Sequence, residues 1–99
     1  MASPWDREGN PISVEQWAAL FEDKGYQVVR QTRIGEVMIS TVWLGIDHGF
    51  GYSEWPIIFE TMTFGAGDEE QYRYHSEAEA LEGHEQLVVQ FQLLVEATK

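Results

Sequence analysis

The last quarter of the chain restricts its fold most. Ser76-Glu77-Ala78-Glu79 is a capping box, and Leu81, His84, Val88, Phe91 and Val95 then recur at steps of three and four. Leu87 and Leu94 widen that stripe until it can cover a sheet. Acids at 77, 79 and 82 suit the positive end of a helix dipole. A long amphipathic helix is therefore expected at the C-terminal end, and the sheet it needs must come from the residues before it.

Those residues read as strands separated by turns. Tyr26 to Thr32 is rich in β-formers, Gly35 marks a turn, and Val37 to Ile46 is the longest strand candidate. Val37, Ile39, Thr41 and Trp43 share one face of it, while Met38, Ser40, Val42, Leu44 and Ile46 share the other. Apolar side chains on both faces predict a central strand. Ile57 to Phe64 and the short run Gln71 to His75 complete the set, joined by the turn Gly65-Ala66-Gly67-Asp68. Upstream, Ser13-Val14-Glu15-Gln16 is a second capping box, followed by Val14, Trp17, Ala18 and Phe21 at helical spacing and closed by Gly25. Residues 1–11 are expected to form an irregular arm. The predicted fold is α+β: one domain over 1–99, with an antiparallel sheet of three or four strands covered by the long C-terminal helix and a short N-terminal helix at one side.

Charge narrows the partners. Six basic residues against 17 acidic ones give a formal charge of −11, a field that repels nucleic-acid phosphates and anionic lipid. Direct nucleic-acid and membrane binding are not expected; a basic protein surface is favoured. With no cysteine, disulfides, thiolate zinc sites and cysteine nucleophiles are excluded. No apolar run reaches signal-peptide or membrane-span length, so the expected location is the cytoplasm.

Two groups of residues are candidates for function. Asp47, His48, Glu60 and His84 are of types that serve as metal ligands or as general acid and base. They lack any H-x-x-x-H or H-E-x-x-H spacing, so no metal is specified and no cofactor is expected. Each also has a structural reading. Asp47 can cap a turn, His48 can tolerate unusual backbone angles beside Gly49, Glu60 can pair with Arg73, and His84 can be a hydrogen-bonded core histidine. The second group lies in the glycine-flanked loop from Gly49 to Pro56, where Phe50, Tyr52 and Trp55 are either anchors for a protein partner or a plug for the end of the sheet.

The segments T-V-W-L-G-I-D-H-G-F-G (41–51), I-F-E-T-M (58–62) and Y-H-S-E-A-E-A-L-E-G-H-E (74–85) resemble those of small uncharacterised proteins of actinobacterial phages and prophages. W-D-R-E-G-N-P-I (5–12) and L-F-E-D (20–23) are similar to them too, so the likeness touches roughly half the chain. Where that family's pattern has a Pro-Pro pair, this chain has Trp55-Pro56. The resemblance implies a phage-type accessory protein acting inside a bacterial cell and carries no activity with it. The expected function is non-catalytic binding and modulation of a host protein, a basic nucleic-acid-binding protein being one candidate. A small hydrolase or metal-binding protein, and a structural or oligomeric virion protein, are the alternatives. Monomer and homodimer both stay open.

Overall fold

The computed structural model describes residues 3–49, 55–65, 67 and 69–98. The order is α1 (Val14–Glu22), α2 (Lys24–Gln27), β1 (Val28–Ile34), β2 (Val37–Trp43), β3 (Phe59–Phe64), β4 (Gln71–Tyr74) and α3 (Glu77–Ala97). The four strands form one antiparallel sheet in the order β1-β2-β3-β4, so β2 is central, as its two-sided apolar pattern requires. The α+β architecture expected from the sequence is the one found, with α3 across one face.

Both serine caps form. Ser13 accepts from the Gln16 N–H while the Gln16 side chain accepts from Ser13 N–H, and Ser76 accepts from the Glu79 N–H. The expected strand from Tyr26 begins two residues later, because the Asp23 carboxylate caps Gly25 and starts the extra turn α2, which takes Tyr26 and Gln27 into helix. The arm is irregular but bound to the sheet. Trp5 N–H donates to the Gly45 carbonyl at 2.8 Å, and Trp5 and Pro11 form an isolated bridge.

Strand alternation sorts the side chains. Ile39, Thr41, Trp43, Phe59 and Thr61 face the helices and are fully buried; Met38, Ser40, Val42, Glu60 and Met62 face the other way. The core has two parts. Trp43, Ile58, Phe59 and Ala80 meet the aromatic rings of the arm and of α1 and α2, while Leu87 and Val88 from the middle of α3 pack with Ile39 of β2. Beyond Phe91 the stripe continues uncovered among the described residues, and Leu94 and Val95 are 58% and 38% exposed. The helix thus projects past the sheet, and the molecule measures 50 × 28 × 21 Å.

Gly45 holds the junction between the arm and β2. Its φ is +77°, and a Cβ there would lie 2.6 Å from ring carbons of both Trp17 and Trp43. Backbone strain and forced repacking each cost about 1–3 kcal/mol, so Gly45→Ala is expected to lose about 2–5 kcal/mol in urea denaturation. A loss below about 1 kcal/mol would show that the junction yields easily.

Candidate functional site

The structure does not bring Asp47, His48, Glu60 and His84 together. Asp47 and His48 follow the end of β2. One carboxylate oxygen of Asp47 accepts from Gly49 N–H at 2.7 Å and from Ile57 N–H at 2.9 Å, tying together the two ends of the loop. The His48 backbone N–H donates to the Ile57 carbonyl, and its ring Nδ1 donates to the Ile46 carbonyl at 2.8 Å. Glu60 is buried on the face away from α3 and accepts from Arg73 Nε at 3.0 Å. His84 projects from α3 onto the opposite face of the sheet. The thickness of the sheet therefore separates Glu60 from His84, and among the described residues no group of three or more His, Asp or Glu side chains could hold a metal ion.

His84 instead completes a buried polar chain. Its Nδ1 bonds with Thr41 Oγ1 at 2.7 Å and its Nε2 with Thr32 Oγ1 at 2.8 Å, so one ring nitrogen donates and the other accepts. Thr41 bonds in turn with Thr61 at 2.5 Å. Burial pushes the His84 pKa below its ordinary value; Glu85 opposes that shift and Arg30 adds to it. With both nitrogens engaged and the ring wholly buried, His84 is closed to substrate and metal alike.

A site with access to solvent lies at the other end of the sheet, where Trp55 and Pro56 meet the arm and the start of α3. Of the proposed anchors, Phe50 and Tyr52 lie outside the described residues, while Trp55 is 64% exposed. Trp55 borders a cavity of about 350 Å³ together with Glu8, Gly9, Pro56, Ile58, His75, Ser76 and Glu79. Each side chain has a local cause. Asp6 accepts from the N–H groups of Glu8 and Asn10, shaping the turn that carries Glu8. Ser76 caps α3 and donates to a Glu79 carboxylate oxygen at 3.2 Å, and His75 Nδ1 donates to the Pro56 carbonyl. The neighbouring cation is already committed: Arg7 Nε meets the Glu77 carboxylate at 2.5 Å, and its guanidinium lies 5.4 Å from the centre of the Tyr26 ring. The cavity therefore offers an indole and two carboxylates, with no Lys or Arg among its described lining residues, a combination that suits a guanidinium or ammonium group.

Sequence reasoning finds Trp55 but not Glu8, His75 or Glu79 as its companions. Ser76 and Glu79 read as a helix cap and Glu8 as part of the arm; nothing local says that arm and cap enclose one hollow. Among the described residues no helix is long and apolar enough to cross a membrane. Compared with protein-family models, curated proteins and solved structures, the chain finds no match.

Proposed function

We propose that this is a non-catalytic binding protein that captures a basic side chain of a host protein at the Trp55 cavity. The observation that carries the reading is the exposed Trp55 indole beside Glu8 and Glu79 over a recess of about 350 Å³. An arginine of the partner would stack on the indole and donate to a carboxylate, and the formal charge of −11 would speed the encounter. The resemblance to actinobacterial phage proteins supports a setting inside a bacterial cell, where a basic nucleic-acid-binding protein is a partner of the right charge. Blocking or redirecting such a partner needs only tight docking.

The test is capture of partners from bacterial host lysate on immobilised protein, washed at low and high salt. The expected result is a basic protein retained at low salt, released at high salt, and bound at least about 30-fold more weakly by Trp55→Ala, the loss typical of an aromatic anchor. Glu8→Gln with Glu79→Gln should flatten the salt dependence. A partner indifferent to salt and to Trp55→Ala would sink the reading.

A further inference from the structure

The two edges of the sheet are finished differently. On the β1 edge, α3 is tied down: Arg30 meets Glu85 at 2.8 Å and Thr32 meets His84 at 2.8 Å. On the β4 edge, α3 meets the strand where Tyr74 packs against Gly83, and beside that contact lies a cavity of about 480 Å³ lined by Tyr72, Tyr74, Gly83, Gln86, Leu87 and Gln90. Among the described residues no carboxylate lines it, in a chain with 17 of them.

The backbone of β4 fixes what could pair there. Thr63 N–H donates to the Glu70 carbonyl and Ile58 N–H to the Tyr74 carbonyl, so residues 70, 72 and 74 turn their peptide groups toward β3. In an antiparallel ladder the alternate residues face the other way, which leaves Gln71 and Arg73 with peptide groups on the free edge. The sequence along that edge, Glu69-Glu70-Gln71-Tyr72-Arg73-Tyr74-His75, is acidic at one end and basic at the other.

Such a strand is complementary to itself when reversed. We infer that β4 is a dimer edge: two copies of the chain pair antiparallel about Tyr72, joining their sheets into one of eight strands. In this register Gln71 and Arg73 of one copy exchange backbone hydrogen bonds with Arg73 and Gln71 of the other, and the two Tyr72 residues face each other beside the cavity. Glu69 stands opposite the second copy's His75 and diagonal to its Arg73, while Glu70 stands opposite Tyr74. Arg73 can serve both contacts, because its Nε is taken by Glu60 while its side chain remains 40% exposed. Shifting the register by one pair toward the basic end would set Arg73 against Arg73. The charge of −11 opposes self-association over most of the surface, and this strip is where acid meets base. The pairing is two-fold and closed, so it ends at a dimer.

The test uses sedimentation equilibrium and a crosslink. The chain should sediment at twice its own mass, and Glu69→Lys with Glu70→Lys should return it to a monomer with unchanged circular dichroism. Gln71→Pro removes one outward N–H without touching the β3 ladder and should do the same. Because the chain has no cysteine, Tyr72→Cys places a single thiol on the two-fold axis, at a non-hydrogen-bonded position where Cα atoms stand about 4.5 Å apart. That lies inside the disulfide range, so mild oxidation should convert the variant to a covalent dimer, whereas Gln31→Cys on the β1 edge should stay monomeric on a non-reducing gel. A monomer at every concentration overturns the proposal. So does a dimer that survives the charge and proline variants and whose Tyr72→Cys form does not crosslink.

Discussion

Trp43→Ala is expected to cost about 3–5 kcal/mol, the range for truncating a buried tryptophan, and so to remove a large part of the roughly 5–15 kcal/mol that holds a small domain folded. Trp43 is wholly buried and joins elements far apart in the chain. Its Nε1 donates to the Trp5 carbonyl at 3.0 Å, holding the arm, and its ring packs edge-on to Tyr26 at 5.0 Å and tilted to Phe21 at 6.3 Å. Its own carbonyl accepts from the buried Gln27 amide at 3.2 Å. Alanine would leave a cavity bordered by the arm, α1 and α2 together, and the Trp5 carbonyl would lose its partner. Trp43→Phe keeps most of the volume and loses only the donor, so it should cost less than half as much. Urea denaturation compares the two. A loss below about 2 kcal/mol for alanine would mean that the aromatic cluster collapses into the space.

The second large effect is a dependence of stability on pH. In the unfolded chain His84 titrates near 6.5, and in the folded chain burial holds its pKa lower. The unfolded state therefore takes up the proton first. Stability from this site is fully present above about pH 6.5 and drains as the pH falls through that value toward the folded pKa. Protonation would also make both ring nitrogens donors, forcing Thr32 and Thr41 to accept together while Thr41 still shares a proton with Thr61. Melting temperatures measured between pH 5 and 8 should fall on the acid side for the native chain. His84→Gln should remove that portion of the slope while lowering stability at pH 8 by about 1–3 kcal/mol, since glutamine cannot reach both hydroxyls as the ring does. An equal acid slope in the variant would assign the effect to the carboxylates.

His84 also shows where sequence reading stops. Its place on the stripe of α3 is legible, because Leu81, Val88 and Phe91 recur around it at helical steps. The three threonines that meet its ring network come from β1, β2 and β3, and their convergence is set by strand register, which no local pattern encodes. The two serine caps are legible for the opposite reason: each is satisfied within four residues. Tyr26 reads as strand because its own preference is for β-structure, and the local capping by Asp23 overrides it. Glu60 with Arg73 can be inferred, since both fall on short neighbouring strands, and the pair is present at 3.0 Å. The Trp55 cavity cannot, because it is assembled from the arm, a loop and the first turn of α3.

The contacts of the arm have a consequence for how the chain reaches its fold. Arg7 pairs with Glu77 across 70 positions of sequence, and Trp5 waits on Trp43 across 38. On the ribosome, Trp5 can find its place only after β2 has emerged, and Arg7 only after the first turn of α3 has followed. Closing so long a loop is slow, and the β1–β2 hairpin can form well before it. The clasp between the arm and the last helix therefore depends on elements made long after the arm, and the Trp43 indole and the Trp5 carbonyl share their hydrogen-bonded contact only once those elements are in place.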